Sequence, residues 1–247
     1  MIFDKLNIFA NSDYKHKAGR GCIGTFDDRC SRQWTPLDYS GKADGKTDNT
    51  QALQKTIDTC SQKGGTVFLG AGVWLTGPLK IPANVRIRLE RGAILKADMQ
   101  ACARAMNDVV GSDEGKLNVN SSFILVNGVN NVHFEGNGVI DGSFMNLSSK
   151  DAKELARAVL NDDLKAFDGL SLSSSDSAPF ENLICLNNVT NASVKGLTII
   201  TASKNGLVME GSHKILLEDI RTAKTVTDDD NKVLSINCAT AADAQSR

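Results

Sequence analysis

Four stretches of this chain restate one pattern: a polar residue, usually Asn, then apolar residues at every second position, then Gly or a turn. They are NVRIRLERGAIL from Asn84, NVHFEGNGVIDG from Asn131, NASVKGLTIITA from Asn191 and HKILLEDIRTA from His213. Each reads as a short strand, a tight corner and a second short strand. Their starts lie about 47, 60 and 22 residues apart. A rung of roughly 22 to 24 residues makes the last gap one rung, the first gap two, and the middle gap two rungs plus an insertion. Such self-similarity marks a solenoid, in which no rung buries its apolar face alone and stacking builds the core.

Period-2 strands with β-branched residues, and Gly or Asn at the corners, predict a β-solenoid over a helical or leucine-rich one. Val85, Ile87 and Leu89, and Ile215 and Leu217, are the expected inward columns. Aromatic residues are 5% of the chain, so aliphatic ladders must dominate that core. An antiparallel sandwich is the competing architecture, but it needs more two-residue hairpin turns than the sequence holds. Asn130, Asn131, Asn187 and Asn188 are expected to satisfy backbone groups at stacked corners.

Two segments depart from the rungs. In TDNTQALQKTIDTCSQKGG, Asp48 offers an N-cap with Gln51 three residues on, and Leu53, Ile57 and Cys60 share one helical face before the KGG stop. A helix over about 48–61 suits the raw end of a solenoid, whose unpaired strand edges would otherwise recruit other chains. The second, about 143–178, reads as a helix from near Ser149 followed by a Ser-rich loop, an insertion on the binding side. The expected organisation is an N-terminal extension over 1–34 and one solenoid domain over 35–247.

The net charge of −1, with Lys and Arg scattered, predicts no nucleic-acid or anionic-membrane partner. No window approaches ~18 apolar residues, and the N-terminus lacks the pattern of a signal peptide. The six cysteines form no CxxC pair, so no zinc site is expected; Cys22 and Cys30 read equally as a local disulfide or as free thiols. Sequons at Asn120, Asn146, Asn188 and Asn191 are of a number that chance supplies in so Asn- and Ser-rich a chain.

DYSGKADGKTDNTQALQKTID, GGTVFLGAGVWLTGPLKIPANVRIRLERGAIL and VHFEGNGVIDG together resemble, in order and spacing, the first coils of the polygalacturonases, glycoside hydrolase family 28 of the pectate-lyase-like superfamily. The resemblance runs from about Thr35 to Ser212 or beyond. Its opening is shared by many right-handed parallel β-helices. APFENLICLNNVTNASVKGLTIITAS is closer to the polygalacturonase branch, where it resembles the coil that leads into the active site. The resemblance implies an all-β right-handed parallel β-helix with an N-terminal capping helix and a helical insertion. It also implies a secreted or periplasmic pectin-degrading glycosidase of cell-wall polysaccharide, with no cofactor, that inverts α-1,4 bonds between galacturonic acids. That reaction needs one carboxyl group to protonate the leaving oxygen and others to activate water. An Arg and a Lys would hold the substrate carboxylate.

The catalytic candidates are Asp228, Asp229 and Asp230 in TVTDDDNKVLSIN. In one register VTD stands where the family carries NTD, which makes Asp228 catalytic; in another, TDDDN is an acidic spacer before that turn. A hydrated turn and a calcium site are the bland and the metal readings of the same aspartates. The family's DD, HG and RIK turns are expected after Arg247, so the sequence reads as the N-terminal portion of such a β-helix, with a last rung open to self-association. The alternative function is a non-catalytic β-helix for glycan binding or tailspike-like adhesion. Asp141, before Gly142, suits a structural corner; His133 should point outward between Val132 and Phe134; Trp74 should be buried.

Overall fold

A computed structural model of the chain describes residues 6–9, 32–106, 118–143, 179–201, 203 and 205–224, with side chains described between 32 and 221. In chain order the elements are β1 (Leu6–Phe9), β2 (Gln33–Trp34), α1 (Thr50–Lys63), β3 (Thr66–Leu69), β4 (Gly72–Thr76), β5 (Leu79–Lys80), β6 (Val85–Leu89) and β7 (Ala93–Ala97). They continue with α2 (Met99–Met106), β8 (Ser122–Asn127), β9 (Asn130–Gly136), β10 (Val139–Gly142), β11 (Asn182–Asn187), β12 (Thr190–Lys195), β13 (Thr198–Thr201), β14 (Asn205–Glu210) and β15 (His213–Lys224).

The strands stack into three parallel sheets. Sheet I runs β2, β3, β6, β9, β12, β15; sheet II runs β4, β7, β10, β13, β15; sheet III runs β5, β8, β11, β14. β15 serves two sheets, its first half pairing with β12 and its last four residues with β13. Each circuit of the chain lays one strand in sheet III, one in sheet I and one in sheet II, as β8, β9 and β10 do. This is the expected parallel β-helix, and the sandwich reading falls because neighbouring rungs pair parallel throughout. β1 runs antiparallel along β15, so that strand's edge is paired within the chain between Leu216 and Ile220.

The rung count differs from the expectation. β6 pairs directly with β9, and β9 with β12, so Asn84, Asn131 and Asn191 stand on successive rungs. The first gap is a single circuit lengthened by α2 and the residues between it and β8; the second is a single circuit lengthened after Ser143. Sequence spacing counts residues and cannot separate a second rung from an excursion. A signal for α2 was present: Asp98 Oδ1 accepts from the N–H groups of Gln100 and Ala101 at 2.9 and 3.1 Å, capping a run of good helix formers. The helix expected from Ser149 lies outside the described residues.

Alternation then places the core. Val85, Val132, Ala192 and Ile215 form one inward column, and Ile87, Phe134, Val194 and Leu217 the next, each in register through sheet I. All belong to one continuous apolar cluster with Trp74, Leu95, Ile124 and Ile184. Each fully buried side chain of this kind contributes about 1.5–3 kcal/mol.

Helix α1 closes the N-terminal end through Leu53, Ile57 and Cys60, all buried. It begins at Thr50 with Asn49 at the cap, later than the expected Asp48 start. Buried Asn49 ties the preceding loop together, accepting from Lys42 N–H at 2.7 Å and donating to the carbonyls of Lys42, Thr47 and Leu75. Asp48 still accepts from Thr50 N–H at 2.9 Å.

The corner asparagines bond mainly to one another. Asn131 Nδ2 donates to Asn84 Oδ1 at 3.0 Å, Asn191 Nδ2 to Asn131 Oδ1 at 3.3 Å, and Asn187 Nδ2 to Asn127 Oδ1 at 2.8 Å. Asn84, Asn131 and Asn191 share the left-handed conformation, with φ of 60, 59 and 61°, which Asn tolerates better than most residues. Side chains stacked between rungs thus replace the backbone partners expected for Asn131 and Asn187. Gly136 has φ 120°, and a Cβ there would lie 1.9 Å from Leu89 O, so only glycine fits between these rungs.

Candidate functional site

Sheet III carries the site. Along β8, Ile124 and Val126 point into the core, so Leu125 points out; registered with it are Lys80, Cys185 and Val208. Where β5 and β8 meet the two helices, the outer face opens into a cavity of about 940 Å³. Its lining includes Asp48 and Gln51 at the start of α1, Lys80, Arg104 and Met106 of α2, and Leu125. Asn118 and Asn120 stand on the segment that leads into β8 and also border it.

The cavity's charges are unequal in freedom. Asp48 Oδ1 is engaged by both the N–H and the hydroxyl of Thr50. Lys80 and Arg104 are exposed, and among the described residues neither ammonium nor guanidinium has an ion-pair partner. Leu125, Pro78 and Met106 also line the cavity. Two cations beside an apolar wall and amide groups form a surface that can hold an anionic sugar.

The predicted catalytic aspartates Asp228, Asp229 and Asp230 lie outside the described residues, as do Cys22, Cys30 and Asn146. Asp141 is placed, and it is shut away from substrate. It is fully buried on the face of sheet II turned from the core, beside Ile94, Val139 and Ile200, also buried. Lys96 Nζ donates to Asp141 Oδ2 at 3.0 Å and to Ser143 O at 2.9 Å, while Ser143 N–H donates to Asp141 Oδ1 at 2.8 Å. This charge-assisted clamp stitches β7 to β10 across the rung. The corner role expected for Asp141 holds, and its partner Lys96, which sequence reasoning missed, stands 45 residues earlier.

His133 does point away from the core, between Ser193 Oγ at 2.8 Å and Asn131 Oδ1 at 3.0 Å. Burial, followed by the nearby Arg86 and Lys195 cations, holds its imidazole below the usual range. Ser193 is itself buried, so the pair serves the ladder of sheet I. Trp74 is buried in the core and donates to Gly70 O at 2.9 Å. Cys60, Cys102 and Cys185 are buried free thiols. Burial pushes Cys102 up to about 12, with the Asp98 and Asp48 charges adding to it, and Cys185 up to about 11. Among the described residues, no three His, Cys, Asp or Glu side chains are grouped closely enough to hold a metal.

Residues 37–232 match the family described as rhamnogalacturonase A/epimerase, pectate lyase-like. The chain belongs to that family. Among curated proteins it is 28% identical over 207 residues to the exo-poly-α-D-galacturonosidase of Dickeya chrysanthemi, a match that takes in 72% of this chain and 34% of that protein. The chain therefore spans about a third of the length of that relative. Among solved structures it resembles the hyperthermoactive exopolygalacturonase of Thermotoga maritima, with a TM-score of 0.59 and 19% identity over 82% of this chain and 48% of the other. The family 28 exopolygalacturonase of Yersinia enterocolitica gives 0.53 and 20% over 78% and 39%. The polygalacturonase resemblance read from the coils is borne out, and these likenesses show the parallel β-helix fold.

Proposed function

We propose that the protein carrying this chain hydrolyses galacturonan, the acidic backbone of pectin, by inverting attack on its α-1,4 bonds. The observation that carries this reading is the extent of the family match. It runs unbroken through the three-sheet solenoid to residue 232 and takes in Asp228, Asp229 and Asp230. The curated relative matched over most of this chain is named for galacturonan cleavage.

In the reaction, one carboxyl group protonates the glycosidic oxygen as its bond to the anomeric carbon breaks. A carboxylate on the opposite side takes a proton from water, whose oxygen bonds that carbon with inversion. The two carboxyl groups stand about 6.5–9.5 Å apart to admit the water. Asp228, Asp229 and Asp230 are the candidates for these carboxyl groups, Asp228 first among them because VTD stands where the family carries NTD. No metal or organic cofactor enters this scheme, and secretion to the place where pectin is met accords with it.

Reducing-end release from polygalacturonate, beside Asp228→Asn, Asp229→Asn and Asp230→Asn variants, tests the assignment. Loss of about 100-fold or more in kcat for Asp228→Asn, with unchanged folding, is expected for a carboxyl group that gives or takes a proton in the reaction. Full activity in all three variants would remove these aspartates from catalysis.

A further inference from the structure

The outer faces of sheets II and III carry buried apolar side chains that the central core does not account for. Ile94, Val139 and Ile200 of sheet II and Cys185 and Val208 of sheet III are buried, yet none belongs to the continuous apolar cluster inside the solenoid. Ile94 and Val139 are in register, as are Cys185 and Val208, so each set runs up the stack as an outward row. Lys96 and Asp141 stand beside the first row and are also buried. An outward row stays dry only when other atoms lie over it. The described elements that pack closely on β10 and β11 are their neighbours within the sheets.

The course of the chain points to the cover. At the turn from sheet II to sheet III, the rung of β13 and β14 spends only residues 202–204. The rung before it leaves sheet II after Ser143 and returns through Phe180, both buried, with residues 144–178 between them. That segment therefore starts and ends beside the two dry rows. Its composition suits the place: Leu155 and Val159 share one face of the helix expected from Ser149, and Phe167, Leu170 and Leu172 follow. A helix of about 12 residues is ~18 Å long, enough to span four strands at ~4.8 Å spacing. The two other segments between described elements fit less well. Residues 107–117 offer Val109, Val110 and Leu117 among three carboxylates, and residues 10–31 join β1 to β2, both paired within sheet I.

We propose that residues 144–178 fold back against the outer faces of sheets II and III as a fixed second layer. Leu155 and Val159 seat on the row of Ile94 and Val139, and Phe167 and Leu170 lie towards Cys185. The occupant of this surface is a segment of the same chain, so the surface is an internal interface and not an open binding face. The layer is what keeps the Lys96–Asp141 pair dry.

Cys185 is the reporter. In the full chain, alkylation by iodoacetamide is followed at Cys185 by peptide mass spectrometry, with buried Cys60 of α1 as the control that the solenoid is intact. Leu155→Asp and Val159→Asp, combined in one variant, should speed alkylation of Cys185 about tenfold or more and leave that of Cys60 unchanged. Leu155→Met with Val159→Ile, which keeps the face apolar, should retain wild-type protection. Cys185 as slow in the Asp variant as in wild type overturns the proposal and gives the cover to another segment. Protection of wild-type Cys185 that fades on dilution overturns it too, in favour of a second copy of the chain. Wild-type protein decides the matter if the Asp variant does not fold: trypsin should spare Lys153 and Arg157 while Cys60 stays unreactive, and prompt cleavage at either under those conditions overturns the layer.

Discussion

The buried pair formed by Lys96 and Asp141 should be strongly coupled, and the coupling can be worked out in advance. Their side chains are 8% and 0% exposed, and the pair shares two further bonds with the backbone of Ser143. Asp141→Asn keeps an acceptor for Ser143 N–H but leaves the Lys96 ammonium buried without a counter-charge, which costs about 3–5 kcal/mol. Lys96→Met leaves the opposite charge alone, at a similar cost, and strips Ser143 O of its donor for about 1–3 kcal/mol more. The double variant buries no charge and retains the bond to Ser143 N–H. Its remaining cost is the unpaired carbonyl, about 1–3 kcal/mol. Urea unfolding measures this: with m of roughly 3 kcal/mol per M, each single change lowers the midpoint by about 1–1.5 M or more, and the double variant lies above both singles. Single changes worth less than about 1 kcal/mol, or a double variant that simply adds them, would refute the account of a dry, mutually dependent pair.

Gly136→Ala should lose about 2–4 kcal/mol and the corresponding thermal midpoint, because the new Cβ meets Leu89 O at a φ that alanine avoids. The N–H groups of Thr47 and Lys46, with the Thr47 hydroxyl, hold the Asp44 carboxyl down at about 2 against 3.8. Since the folded value is the lower, its contribution is present above about pH 4 and lost as pH falls towards 2, and the stability gap between wild type and Asp44→Ala should close over that window. His133 is also held low, so its share of stability is full above 6.5 and falls on acidification below it. His133→Gln should flatten the thermal midpoint against pH in that range. Cys60, Cys102 and Cys185, with thiols raised by burial, should resist aqueous thiol reagents until the protein unfolds; mass spectrometry of labelled native protein reads this directly.

The solenoid was legible because its core is written in a period of two: the columns through Val85 and Ile87 are visible in the residue string itself. The cap helix was legible for the same kind of reason, Leu53, Ile57 and Cys60 recurring at helical spacing. The number of rungs was not, because an excursion such as α2 adds residues without adding a strand to sheet I. Pairings across rungs were hidden too. Nothing local in GVIDGS announces Lys96, and Lys80 and Arg104 border one cavity only because β5 and α2 both flank it. The aspartates of TVTDDDN were found by motif alone, where two registers compete and spacing cannot choose between them.

The configuration of the first sugar released from polygalacturonate tests the central claim most directly. Proton NMR during the opening minutes of the reaction should show the β-anomer forming first from the α-linked polymer, the outcome of single inverting displacement by water. An α-product, an unsaturated product of β-elimination, or no cleavage of galacturonan by well-folded protein would contradict it.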